Sequence, residues 1–206
     1  MEHKKASLYY FASLYLLFIP YYCVMEVLIK KNIVAISGST RKGSTNHLLI
    51  NAIKVLTADI FNMTYFEGLI DLPAFNPDES FEHTPGSVLS FRALLKNADG
   101  ILICTPEYAH GVPGTLKNAI DWTVSSAEFS GKPTVLITAA TEGQYAHSSL
   151  LETLKVIEAR NVENLQLLIP FAKSKISAAG EITEEKILRE IESLMIRFKD
   201  TIAVQD

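Results

Sequence analysis

Short, continuous apolar runs alternate along this chain with longer stretches whose apolar residues recur at helical spacing. That alternation restricts the fold more than any other feature, because it is the pattern of parallel strands joined by crossover helices. Asn32-Ile33-Val34-Ala35-Ile36-Ser37 is the first run, and it ends in a Gly/Ser/Thr cluster. Residues 45–56 follow, with Leu48, Leu49, Ala52, Ile53 and Leu56 on one helical face. Further strands are expected over residues 59–66, 100–104, 133–138 and 165–169. Helices are expected over residues 88–96, closed by Asn97, and over 113–122, 148–160 and 183–199. The last helix carries Ile187, Ile191, Leu194 and Phe198 as its apolar stripe. Pro73, Pro77 and Pro85 make residues 69–85 a long irregular loop. No internal repeat or low-complexity tract interrupts the order. The expectation is an α/β domain with a five-stranded parallel sheet covered on both faces. Ligands of such sheets lie beyond the carboxyl ends of the strands, so the turns after strands one, three and four are the candidate functional segments.

Composition narrows the function classes. The chain has 206 residues, 19 Lys and Arg, 23 Asp and Glu, and a formal charge of −4. Without a basic excess, nucleic acid is not an expected partner. Two cysteines, Cys23 and Cys104, make neither a disulfide framework nor a metal site, and point to a reducing, cytoplasmic setting. His47, His83, Asp78, Glu79 and Glu82 show no metal-ligand spacing and read as solvated residues.

The N-terminal segment differs from the rest. Residues 6–25 carry no charge, follow Lys4 and Lys5, and are long enough to span a bilayer. Pro20 opposes an unbroken helix. No small-x-small cleavage site follows, and Cys23 sits behind two tyrosines, unlike a lipoprotein cysteine. Three readings stay open for this stretch: a biological start at Met25, an idle extension, or a membrane anchor, the only route to a membrane partner. The organisation is therefore an extension over residues 1–24 and one domain over residues 25–206.

The turn after strand one reads Ser37-Gly38-Ser39-Thr40-Arg41-Lys42-Gly43-Ser44-Thr45-Asn46 and opens a helix. Free N–H groups and the positive end of the helix dipole suit an anion there. Ser39, Ser44, Thr45 and Asn46 offer short polar side chains, and Arg41 a charge-assisted fork. The nucleotide P-loop is a near miss, since no lysine follows Gly43, and the dinucleotide fingerprint lacks a third glycine. A terminal monophosphate fits what remains, beside the plainer reading of a serine-capped helix start. Lys42 reads as a solvated surface residue.

The turn after strand three runs from Pro106 to Trp122 as P-E-Y-x-x-x-x-P-G-x-L-K-N-A-I-D-W. With Gly38, Ser39, Arg41, Ser44 and Asn46 matching G-S-x-R-x-x-S-x-N, the chain resembles the NAD(P)H-dependent FMN reductases of flavodoxin-like fold over about residues 32–170. That family includes quinone, azo-dye and chromate reductases. The resemblance implies a three-layer sandwich with strand order 2-1-3-4-5, noncovalent FMN, NADPH or NADH as donor, and a small-molecule electron acceptor. It also implies a homodimer or homotetramer, with the helix over 113–122 and the long loop near the partner. FMN phosphate would sit in the Ser39–Asn46 turn and the ring against Pro106, Glu107, Tyr108, Ala109 and His110. No protein residue is catalytic in this reading, because flavin N5 carries the chemistry. Leu116, Ala119, Ile120 and Trp122 read as core, and Lys117, Asn118 and Asp121 as surface or subunit contacts.

Two departures from the family pattern stand out. Ala109 and His110 replace residues that often contact the ring, and His110 reads as a surface or packing histidine rather than a proton donor. The usually glycine-rich turn after strand four is Ala139-Ala140-Thr141-Glu142-Gly143-Gln144, in which Thr141, Glu142 or Gln144 would meet the pyrimidine edge. Tyr145 and His147 read as helix-start surface. The stiffer turn gives weight to an alternative, a non-enzymatic flavodoxin-like FMN-binding electron carrier.

Overall fold

The computed structural model describes residues 30–79 and 83–204; the expected N-terminal extension with its residues 6–25, Cys23 and Glu82 lie outside the described residues. The order is β1 (Lys31–Ser37), α1 (Thr45–Leu56), β2 (Phe61–Phe66), single 3-10 turns at Gly68–Asp71 and Pro77–Glu79, α2 (Gly86–Lys96), β3 (Gly100–Thr105), α3 (Gly114–Val124), β4 (Thr134–Ala139), α4 (Gln144–Val156), β5 (Gln166–Ile169), a short α5 (Ala172–Lys175) and α6 (Glu185–Ala203). Every strand pairing is parallel, in the order β2-β1-β3-β4-β5.

β3 and β4 are buried at every position, which is why their sequences run apolar instead of alternating. Successive side chains leave the sheet on opposite faces. Ile33, Ala35, Leu102, Cys104, Val135 and Ile137 pack with α1 and α6 on one face. Val34, Ile36, Ile101, Ile103 and Leu136 pack with α2, α3 and α4 on the other. Each fully buried Ile or Leu stabilises the layers by roughly 1.5–3 kcal/mol. Strand order reverses between β1 and β3, so a crevice opens beyond their carboxyl ends.

Several boundaries depart from expectation. β2 starts at Phe61, because Ile60 and Phe61 both donate their N–H to Thr57 O in the turn that ends α1. α4 begins at Gln144 rather than 148, where Gly143 in the left-handed region (φ 95) turns the chain. It ends at Val156, and Glu158 takes φ 61 just beyond. α6 starts two residues later than expected and runs on to Ala203, since Ile202 continues the buried stripe one turn past Phe198. The short α5 carries no periodicity that a sequence reading would register.

Trp122, Leu116, Ala119 and Ile120 are core, as expected. Asn118, expected as a surface or subunit contact, instead clamps the long loop: its Nδ2 donates to Pro73 O at 2.9 Å and its Oδ1 accepts from Phe75 N at 2.7 Å. Trp122 Nε1 donates to the same Pro73 carbonyl at 2.8 Å, and Phe75 packs edge-on against the indole. Lys117 and Asp121 form an exposed ion pair along α3.

Candidate functional site

The turn after β1 closes onto the end of β3. Gly38 N donates to Cys104 O at 2.8 Å, and a Cβ at residue 38 would lie 2.4 Å from Thr105 Oγ1. Only glycine lets the turn approach that closely. Ser44 is the N-cap of α1, its Oγ accepting from His47 N at 3.2 Å. The serine-cap reading therefore holds, yet an accepting hydroxyl keeps its own proton free to donate. Ser39 is in the same position, with Oγ accepting from Arg41 N. The N–H groups of Thr45 and Asn46 lie in the first turn of α1, where no intrahelical acceptor exists. Donors thus converge on one spot at the positive end of a helix.

Asn46 is 3% exposed, and its amide nitrogen donates to Ala139 O at 3.0 Å. Its Oδ1 is buried without a partner. A buried acceptor left unmet costs about 1–3 kcal/mol. His47, expected to be solvated, is half buried and packs at a tilt against Tyr65, ring centroids 4.5 Å apart. Lys42 is exposed, as expected, and so are His83 and Asp78, while Glu79 is partly covered.

The bend after β3 begins at buried Pro106. Tyr108 and Gly111 exchange both backbone hydrogen bonds, at 3.0 and 2.9 Å, around Ala109 (φ 49) and His110 (φ 58). Positive φ at both central residues is the type I′ pattern, here without glycine, and costs roughly 1–2 kcal/mol per residue. His110 turns outward and stacks on Tyr145, ring centroids 4.3 Å apart. The Glu107 carboxylate accepts Ala146 N at 2.8 Å. α4 has no side-chain cap of its own, so Glu107 caps it from across the site and ties the β3 bend to the β4 turn.

The β4 turn serves as a junction. Ala139 O takes the Asn46 amide, Ala140 O accepts Ala172 N at 3.0 Å, and Thr141 O accepts Phe171 N at 3.0 Å. All three carbonyls are engaged by protein N–H groups. Phe171 sits at φ 53 and is 63% exposed.

Tyr145 and His147 part company. Tyr145 is half exposed, as expected, whereas His147 is buried. Gln166 Nε2 donates to Glu163 O, which leaves Gln166 Oε1 to accept from His147 Nε2 at 2.7 Å. His147 Nδ1 then accepts from Thr138 Oγ1 at 2.8 Å. Burial lowers the imidazole pKa, against a smaller opposing effect of the Gln166 hydrogen bond. The folded protein therefore holds His147 neutral, while the unfolded chain takes up a proton near pH 6.5, about where free imidazole titrates. The stability this contributes is complete above that pH and is lost as pH falls below it. On going from about pH 7.5 to about pH 5.5, the melting temperature of the wild type should drop more than that of His147→Gln, as followed by circular dichroism. Parallel curves for the two proteins would refute the neutral, double-bonded histidine. Burial also raises the Cys104 thiol far above its ordinary pKa, so it is inert.

These turns enclose one cleft of about 370 Å3, lined by Ser39, Arg41, Ser44, Thr45, Asn46, Pro106, Glu107, Tyr108 and Thr141 together with Ala139, Ala140 and residues 171–174. The volume suits a small organic ligand. Two sequence-distant blocks meet here. Ala109 and His110 belong to the bend but do not line the cleft. Residues 171–174 do line it and were missed from sequence; the sole cue was their place just after a strand. Among the described residues no group of acidic, His or Cys side chains could hold a metal, and no helix is long and apolar enough to cross a membrane.

The model of a protein family described as NADPH-dependent FMN reductase matches residues 31–174. A Pseudomonas aeruginosa protein named NAD(P)H-dependent FMN reductase is 30% identical over 160 residues, covering 75% of this chain and 85% of the relative. A quinone reductase of Escherichia coli is 26% identical over 180 residues, 84% of this chain and 96% of the relative. Among solved structures, the flavoenzyme NAD(P)H:(acceptor) oxidoreductase FerB of Paracoccus denitrificans superposes with a TM-score of 0.68 at 25% identity, over 84% of this chain and 97% of that one.

Proposed function

The chain belongs to the NADPH-dependent FMN reductase family, and on that footing we propose that its cleft holds FMN with the phosphate in the 39–46 turn and the ring along residues 106–108. It is an FMN-dependent NAD(P)H oxidoreductase. When bound, FMN supplies the chemistry, taking hydride from NADPH or NADH and passing electrons to a small acceptor such as a quinone, a free flavin or an azo compound. The observation that carries the site assignment is the meeting of the 39–46 turn and the 106–108 bend in one 370 Å3 cleft.

The residues present fit such a group. The free hydroxyl protons of Ser39 and Ser44, the first-turn N–H groups and the Arg41 guanidinium are donors, and a phosphate offers only acceptors. Asn46 refines the expectation. Its amide nitrogen is engaged by Ala139 O, so its remaining Oδ1 cannot serve a phosphate oxygen, and it suits a hydroxyl of the ribityl chain instead. Pro106 and the Tyr108–Gly111 hydrogen bonds hold the bend in a fixed shape, which lowers the ordering cost on binding. Thr141, exposed on the cleft wall, offers a hydroxyl to the ring's polar edge. His110 stays outside the cleft and has no part in proton transfer.

Quinone is our preferred acceptor, because the Escherichia coli relative is named for it. Ile70, Phe75 and Val124 expose apolar surface on the long loop and α3, which supports a homodimer or homotetramer contact there. A cytoplasmic setting agrees with the unpaired, buried Cys104. The carrier reading gives way, since the matched family is one of reductases.

The purified protein is expected to be yellow, or to become so with FMN, and to oxidise NADPH or NADH when a quinone is present. Yellow protein without turnover would restore the carrier reading. Colourless protein that FMN cannot reconstitute would remove both.

A further inference from the structure

We propose that Lys173, in the turn after β5, is a second cation for the FMN phosphate, so that the anion is held between two strand turns rather than by the β1 turn alone. The proposal deepens the reading of the cleft as an FMN site and rests on it.

The geometry of the β4 junction carries the argument. Three consecutive carbonyls, of Ala139, Ala140 and Thr141, receive the Asn46 amide, Ala172 N and Phe171 N. Asn46 of the phosphate turn and the start of the β5 turn are therefore fastened side by side. A second tether lies further on. A Cβ at Gly180 would sit 3.7 Å from Leu48, in the first turn of α1. The segment after β5 thus runs along the N-terminal end of α1, where the phosphate donors converge. The ring bend leans the other way, toward α4 through Glu107.

The segment is also held rigidly. Phe171 is an aromatic residue at φ 53, a conformation that persists only where its surroundings enforce it. Its N–H is fixed by Thr141 O, and its carbonyl accepts both Ser174 N and Ser174 Oγ. Lys175 pairs with Glu184 at 3.5 Å, which anchors the far end. Between these fixed points Lys173 is exposed and lines the cleft.

Charge completes the argument. Neither the Arg41 guanidinium nor the Lys173 ammonium has an ion-pair partner among the described residues, and the Glu107 carboxylate in the same cleft accepts from Ala146 N. Both cations are exposed and line the same cleft. A phosphate monoester carries about −1.5 to −2 at neutral pH, so one arginine leaves it under-neutralised and a second cation brings the site closer to balance.

The test uses the full chain stripped of flavin and titrated with FMN and with riboflavin, which lacks the phosphate, at several salt concentrations. Lys173→Ala should weaken FMN about tenfold, the scale of one charge-assisted contact, and leave riboflavin within about twofold. Lys173→Arg should restore most of the loss. The dependence of FMN affinity on salt should be shallower in Lys173→Ala than in the wild type. The flavin-free variant should melt no lower than the wild type, since Lys173 is exposed and makes no ion pair among the described residues. Equal losses for both ligands, no loss for FMN, or a rise in quinone KM with FMN affinity intact would overturn the assignment. Failure of the wild type to bind FMN at all would overturn the flavin site itself, before any variant is compared.

Discussion

Replacing Gly38 with alanine is expected to cost about 3 kcal/mol of folding stability, the upper part of the range for overpacking a dense interior, and to remove measurable FMN binding. The added Cβ would meet Thr105 Oγ1 at 2.4 Å, Thr105 Cβ at 2.9 Å and Leu116 Cδ2 at 3.1 Å. Neither neighbour has room to retreat, because Thr105 and Leu116 are both fully buried. The backbone must move instead, and it is pinned by the Gly38 N to Cys104 O hydrogen bond at 2.8 Å. Displacing it shifts Ser39 and Arg41 away from Ser44, so the phosphate donors no longer converge. Gly43 makes the contrast. It has φ 66 and nothing within 4 Å of its notional Cβ, so Gly43→Ala should cost only about 1–2 kcal/mol of backbone strain. Denaturant unfolding of both variants measures the difference. A Gly38→Ala protein as stable as Gly43→Ala would show that the turn does not close on β3 as described.

That contrast marks what a sequence can and cannot convey. The alternation of apolar runs and amphipathic stretches leads directly to the five strands and to α1, because burial on both faces leaves a continuous apolar signature in β3 and β4. Gly38 and Arg41 are visible as letters of a turn, but the reason for the glycine is a contact with Thr105, 67 residues away, which no local pattern encodes. His147 looked like a surface residue because a lone histidine near a helix start carries no sign of Thr138 and Gln166, its partners on two different strands. Asn118 reads as polar surface for the same reason, since its partners lie in the long loop. The wall at residues 171–174 was invisible because a single helical turn has no period. Local propensity and burial are written along the chain. Long-range polar pairing is not, and the site's fourth wall and its remote helix cap through Glu107 both belong to that second class.

Arg41→Ala combined with Ser44→Ala should weaken FMN about 100-fold while changing riboflavin by no more than about threefold. Each lost donor is a hydrogen bond to a charged group worth about 1.5 kcal/mol at the low end of its range, and every 1.4 kcal/mol is tenfold in affinity. Ser44 complicates the measurement, because it also caps α1 through His47 N. Its loss alone should lower folding stability by about 1 kcal/mol. Riboflavin separates the two effects. A loosened α1 would disturb the cleft for both ligands, whereas a missing phosphate contact is felt by FMN alone. Ser44→Gly, which keeps much of the helix-start preference but lacks the hydroxyl, supplies an independent check and should behave like Ser44→Ala toward FMN. Fluorescence titration of the flavin-free chain reads every combination of ligand and variant. If riboflavin loses affinity as steeply as FMN, the 39–46 turn is a structural helix start and the phosphate lies elsewhere. If FMN alone is weakened, the donors at the mouth of α1 hold the phosphate, in a turn that lacks the P-loop lysine.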